Sequence, residues 1–130
     1  MIVLDASAVV EWLLRTERGS RIEAKIFPRT ETLHAPHLLD VEAAHALRRY
    51  ARDREVTEAR AEALIQDLLL LRIFRHRHTS LLNRVWELRH QLTAYDAVYV
   101  ALAEALDAPL LTCDAKIAAA RGHRAMVDLV

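Results

Sequence analysis

Glycine, proline and cysteine are all scarce in this sequence. Two glycines and three prolines among 130 residues exclude long flexible linkers and low-complexity tracts, and predict a compact chain with short connections and much helix. Cys113 is the only cysteine, so an internal disulfide is excluded and a reducing compartment fits. Aromatic residues make up 5% of the chain and are scattered, which argues against a base-stacking platform. Neither sign of charge is in excess: 18 Lys and Arg balance 18 Asp and Glu. Overall charge therefore predicts no polyanionic partner, and excludes none, because binding depends on local patches. No apolar run approaches the ~20 residues of a membrane helix. The N-terminus lacks a charged region followed by an apolar one, and Asp5 interrupts what there is. A soluble, cytoplasmic protein without a membrane segment is expected. What is plentiful is apolar side chain, 53% of residues, enough for residues 1–130 to form one domain with a real core.

Short apolar runs alternate with helical periodicity along the chain. Strands are predicted at Met1–Leu4, "TLHAP", "RIFRHRH", "PLLTCD" and "AMVDLV". Helices are predicted over Ser7–Thr16, Arg18–Phe27 (stopped by Pro28), Leu38–Arg54, and from the cap Thr57 to about Leu71. Thr79 or Ser80 is expected to cap a helix through His90, and Thr93 to cap "YDAVYVALAEAL", which is apolar almost all round and so should be buried. A short helix over Ala115–Arg121 completes the order. Such alternation predicts a mainly parallel sheet of about four to five strands with helices on both faces. Functional groups in such sheets gather beyond the C-terminal strand ends.

Two of the strands end in aspartate, Asp5 and Asp114. Glu42 borders the buried stripe of its helix, with His45 and Arg49 on its own stripe. An ion pair with one of them is the plain alternative for Glu42. Asp96 opens the most apolar helix, three residues after Thr93, and is either a capping residue or a functional acid, or both. Four carboxylates brought together would repel one another and raise their own pKa values. A hard divalent cation removes that conflict, and Mg²⁺ accepts carboxylate oxygens, keeps several waters and binds phosphate. Such a centre suits phosphodiester cleavage by a metal-activated water.

The pieces "VLDASAVVEWLL", "APHLLDVEAAHALRR", "LTAYDAVYVALAEAL" and "LLTCDAKIA" resemble, in order and over nearly the whole chain, the PIN-domain ribonucleases, and most of all the VapC-type toxins of toxin–antitoxin pairs. The resemblance implies a PIN-like three-layer α/β/α sandwich and an endoribonuclease acting on tRNA, rRNA or mRNA, leaving 5′-phosphate and 3′-hydroxyl ends. It implies that Asp5, Glu42, Asp96 and Asp114 form a catalytic centre holding Mg²⁺ or Mn²⁺, with the hydroxyls of Ser7 and Thr112 beside it. It further implies a homodimer and a cognate VapB-like antitoxin, whose contacts are expected on the helices between Arg21 and Leu71. His45 departs from the Asn of many relatives, which bears on the hydrogen bonding around Glu42.

Other side chains invite readings of their own. Alternation puts Arg75 and Arg77 on one side of their strand, as a basic rim for RNA or a plain solvated edge. Lys116, two residues beyond Asp114, is placed to touch a phosphate or simply to be solvated. His76 and His78 at i, i+2 suit a transition metal only with a third ligand, and none is evident. Cys113 reads as a small packing residue. Two rival functions remain: a Mg²⁺-dependent phosphatase or phosphoacceptor domain with Asp5 as nucleophile, since "LDAS" resembles the nucleophile strand of haloacid-dehalogenase-like phosphatases, and a non-catalytic PIN-like binding module.

Overall fold

A computed structural model describes residues 1–27 and 30–130. Its five strands are β1 (Ile2–Leu4), β2 (Leu33–Pro36), β3 (Ile73–His76), β4 (Leu110–Thr112) and β5 (Val127–Leu129). They form one sheet in the order β3-β2-β1-β4-β5, and every pairing is parallel. The chain builds outward from β1 to β3, then returns to lay β4 on the other side of β1. The direction of winding therefore reverses between β1 and β4, and a crevice opens there beyond the C-terminal strand ends.

The helices are α1 (Ala6–Leu13), α2 (Glu17–Ile26), α3 (Leu38–Arg52), α4 (Glu58–Leu70), α5 (Leu82–Glu87), α6 (Ala94–Leu106) and α7 (Ala115–Ala119). Helix α1 packs on α2, α3 and α4, while α6 lies against β1, β2 and β4 with α5 beside it. Right-handed crossovers put these two groups on opposite faces of the sheet. Thr57 and Thr93 start helices as the sequence predicts, their hydroxyls accepting the amides of Arg60 and Asp96, while Thr16, expected at the end of the first helix, instead caps α2 by accepting the Gly19 amide. Each such cap contributes about 1 kcal/mol. Every residue of α6 from Ala97 to Ala103 is buried, as its all-round apolar pattern requires.

The first helix ends at Leu13 instead of Thr16, and the helix expected through His90 departs further from its expected form. Neither Thr79 nor Ser80 caps it; Thr79–Leu81 make a 3₁₀ turn, and α5 stops at Glu87 instead of His90. Leu81, Val85, Leu88 and Leu92 still turn one stripe to the core, so the apolar spacing was real. Past Glu87 the chain tightens into i→i+3 bonds, Arg89 N–H to Trp86 O and Gln91 N–H to Leu88 O, which keep the stripe without a regular helix. The stop expected at Pro28 lies outside the described residues.

Gly19 lets α2 press against the end of α1. A Cβ there would lie 2.1 Å from the backbone oxygen of Glu11 and 2.7 Å from its carbonyl carbon. Backbone cannot yield as a side-chain tip can, so Gly19→Ala is expected to destabilise the fold by about 3 kcal/mol. A lowered urea midpoint at unchanged slope is the expected readout.

Candidate active site

Asp5 sits where β1 ends and α1 begins, and its backbone amide bonds to Leu111 O on β4. It is 5% exposed, yet its carboxylate is fully engaged. Oδ1 accepts the Ala6 amide at 2.7 Å. Oδ2 accepts the Ser7 hydroxyl at 2.5 Å and the Thr112 hydroxyl at 2.8 Å. Those hydroxyls are themselves fixed from behind, because Ser7 Oγ accepts the Cys113 amide at 3.0 Å and Thr112 Oγ1 accepts the Asp114 amide at 3.0 Å. Each hydroxyl oxygen thus takes an N–H from the end of β4 and points its only hydrogen at Asp5. At the end of β4 Thr112 faces inward and is buried, and Cys113, just beyond the strand, is partly exposed.

The other three acids come from separate elements. Glu42 is half-buried in the second turn of α3 and accepts the Tyr99 hydroxyl of α6 at 2.8 Å. Neither His45 nor Arg49 pairs with it among the described residues, so the plain ion-pair reading is not realised. Asp96 lies in the first turn of α6, its amide donating to the Thr93 hydroxyl at 3.2 Å, so the cap and an acid facing the crevice coexist in one turn. Asp114 caps α7 by accepting the Lys116 amide at 2.8 Å. All four carboxylates, with Ser7, line one open cleft of about 350 Å³ at the β1–β4 crevice.

Burial is the main force acting on these acids. It raises the Asp5 carboxyl above the usual range, against the pull of the Ser7 and Thr112 hydroxyls and the backbone amides. It raises Glu42, helped by the charges of Asp5 and Asp96 and opposed by the Tyr99 hydroxyl. It raises Asp96, with Asp114 and Asp5 adding to the effect and Thr93 and Lys116 opposing it. The charge of Asp5 reaches Glu42 and Asp96, that of Asp96 reaches Glu42, and that of Asp114 reaches Asp96.

Among the described residues, no three His, Cys, Asp or Glu side chains close on a point that could hold an ion by themselves. The carboxylates ring the cleft instead. Like charges hold such groups apart, and Mg²⁺, which keeps several of its waters, suits a ring of carboxylates that reach it partly through water. The donors at this end are all hard oxygens, a set that fits a hard divalent cation and not a soft one.

Tyr99 was not apparent as a site residue in the sequence. It follows Asp96 by three positions, and so shares its side of α6, but a tyrosine in an apolar helix reads as core. Its hydroxyl has its own pKa pushed far up by burial and by Glu42, so it remains a donor throughout the working pH range. Tyr99→Phe keeps the packing and removes that donor. The expected result is about a tenfold to hundredfold loss of divalent-ion affinity, measured by calorimetric titration, with the melting temperature little changed.

The remaining candidates separate. Lys116 is exposed and lies near enough to Asp96 to offset its repulsion. Arg75 does not form a basic rim. Its guanidinium grips Asp40 through Nε and Nη2 at 2.8–3.1 Å and donates to the carbonyls of Ile73 and Leu68, so it clamps β3 to α3 and α4. Arg77 lies beyond the end of β3, and neither arginine lines the cleft. His76 meets no metal-ligand set; its Nε2 is 2.8 Å from His34 Nδ1, a hydrogen bond in which the two rings share a proton.

Comparison with known proteins identifies the family of the fold. Residues 2–122 match the family model described as PIN domain. Ribonuclease VapC1 of Mycobacterium tuberculosis is 44% identical over 129 residues, covering 98% of this chain and 96% of the relative. Ribonuclease VapC12 of the same organism is 38% identical over 130 residues, covering 100% and 99%. Among solved structures, PAE2754 from Pyrobaculum aerophilum superposes with a TM-score of 0.71 at 26% identity, over 98% of this chain and 83% of that one. The chain belongs to the PIN-domain family.

Proposed function

We propose that this chain is a divalent-metal-dependent endoribonuclease and the toxin of a VapBC-type pair, with residues 1–130 forming one PIN domain. The observation that carries the reading is the meeting of Asp5, Glu42, Asp96 and Asp114, from four separate elements, in the cleft at the sheet's switch point. The ribonuclease names of relatives 38–44% identical over almost their full length support it. Mg²⁺ is the cation proposed, with Mn²⁺ as its substitute. When bound, the ion supplies neutralisation of charge at the reacting phosphate and acidification of an attacking water.

The chain's own residues divide the remaining work. Asp5, Asp96 and Asp114 hold the ion, and Glu42 completes the ring. Ser7 and Thr112 fix Asp5 and favour its charged form, against burial, by donating to Oδ2. Tyr99 orients Glu42, leaving that carboxylate's second oxygen to accept a proton from water. Lys116 stands near Asp96 and is the candidate contact for a phosphate. The rival phosphoacceptor reading is less favoured, because relatives 38–44% identical over almost their full length carry ribonuclease names. By the family resemblance, the working form is a cytoplasmic homodimer held inactive by a VapB-like antitoxin.

The test is expression in a bacterium followed by transcriptome-wide mapping of new 5′ ends. Cleavage at defined sites, giving 5′-phosphate ends that purified protein reproduces with Mg²⁺ or Mn²⁺ and loses with EDTA, is expected. Intact RNA in both settings would refute the function.

A further inference from the structure

The four acids occupy only one end of the cleft. From Glu42 it continues along α3 past His45, Ala46, Arg49 and Tyr50, with Val10 and Glu11 of α1 on the opposite wall. Arg49 stands two turns beyond Glu42 on the same stripe, a rise of about 10 Å. Arg49 brings a positive charge to that path, across from Glu11. Among the described residues Arg49 forms no salt bridge, and it is the one arginine that lines this cleft. An unpaired guanidinium in a cleft headed by carboxylates is a ready phosphate ligand, since its planar fork accepts two oxygens at once.

Tyr50 is half-buried beside it, and Glu11 is close enough to Tyr50 to hold its phenol in the neutral form together with burial. The Glu11 carboxylate is tied back by a hydrogen bond from Thr16. A strand passing here must therefore turn its phosphate to Arg49, away from Glu11, and its base to the Tyr50 ring. Such a cation is needed. An acidic centre repels RNA, and a chain with 18 charges of each sign has no general positive field to overcome that repulsion.

We propose that Arg49, Tyr50 and His45 form a strand-binding subsite that grips single-stranded RNA next to the bond being cleaved, Arg49 on a phosphate, Tyr50 under the neighbouring base and His45 between them. This rests on the ribonuclease reading and extends it: recognition is built on α3, continuous with the acid centre, and not on the arginines of β3. Stacking on Tyr50 is tolerant of base identity, so the subsite sets affinity for the flanking nucleotide in any sequence.

The experiment uses a short labelled single-stranded RNA spanning a mapped cleavage site. Steady-state kinetics with Mg²⁺ are compared for wild type, Arg49→Gln, Tyr50→Ala and Tyr50→Phe. Arg49→Gln and Tyr50→Ala are each expected to raise KM about tenfold with kcat within about threefold, and Tyr50→Phe to restore the wild-type KM. Binding of the same RNA to Asp5→Asn protein should lose about 0.7 from its log–log salt slope when Arg49→Gln is added, the signature of one lost phosphate contact on a single strand. Arg49 is exposed, so its variant carries the test should Tyr50→Ala fail to fold. Cleavage by wild type with unchanged KM and salt slope in Arg49→Gln would overturn the subsite alone. No cleavage and no RNA binding by wild type would overturn the ribonuclease reading and the subsite with it.

Discussion

Asp5→Asn is expected to lower RNA cleavage by about a thousandfold or more while leaving the fold intact. Asparagine has the shape of aspartate, and its carbonyl oxygen still accepts the Ala6 amide. The new amide nitrogen replaces Oδ2 opposite the hydroxyls of Ser7 and Thr112. Each hydroxyl already accepts one backbone N–H, keeps a second lone pair and can rotate, so both can accept from the new donor. The negative charge, by contrast, is irreplaceable. A metal ion contributes several kcal/mol of transition-state stabilisation, and losing about 4 kcal/mol corresponds to about three decades in rate. Removing the charge also relieves Glu42 and Asp96, whose carboxyls it pushes upward. Activity should therefore disappear as the melting temperature of the metal-free protein holds or rises. Single-turnover cleavage and thermal melting on the same preparation check both halves, and a wild-type rate would refute the assignment.

The second large effect is in the joint dependence of stability on pH and divalent metal. Asp5, Glu42 and Asp96 all have carboxyls raised by burial in the folded chain. A raised carboxyl binds its proton more tightly folded than unfolded, so stability falls as pH rises. The contribution is fully present below the unfolded carboxyl range, near pH 4, and is lost as pH climbs through each folded value. Glu104, lowered chiefly by its hydrogen bonds from Arg84, acts in the opposite sense only on acidification below that range, and His34, lowered chiefly by burial, opposes the trend as pH rises toward the ordinary histidine value, so the difference between wild type and Asp96→Asn isolates the acids. Metal-free protein should thus melt at lower temperature at about pH 8 than at about pH 5, with a flatter profile in Asp96→Asn. Divalent cation should reverse the trend, because protons compete with it for the same oxygens. At a hundred times its dissociation constant the ion adds about 2.7 kcal/mol, or roughly 10 °C for a chain of this size. Identical pH profiles for wild type and Asp96→Asn, and a cation effect independent of pH, would contradict this.

What the sequence revealed follows from which forces are local. Asp5 and Asp114 were legible as strand-end acids because a buried strand rarely ends in a carboxylate without cause; that each also caps the helix after it was not part of that signal. Thr57 and Thr93 were legible as caps because the bond each makes is local. Arg75 was misread because alternation fixes the side of a strand but not what lies under it. Its partner Asp40 is 35 residues away, in the first turn of α3, where the helix dipole alone favours an acid. The Tyr99–Glu42 bond spans 57 residues and leaves no periodic trace. The far end of the cleft was hidden likewise. The stripe of Glu42, His45 and Arg49 is visible by counting, but that Glu11 faces it depends on α1 packing on α3.

The central claim is that these acids are one ion site. An anomalous difference map from crystals grown with Mn²⁺ tests it most directly. A Mn²⁺ peak between Asp5, Asp96 and Asp114, absent in Asp5→Asn crystals, is the predicted result; a cleft without a peak at saturating Mn²⁺, or a peak lying elsewhere on the surface, would contradict it.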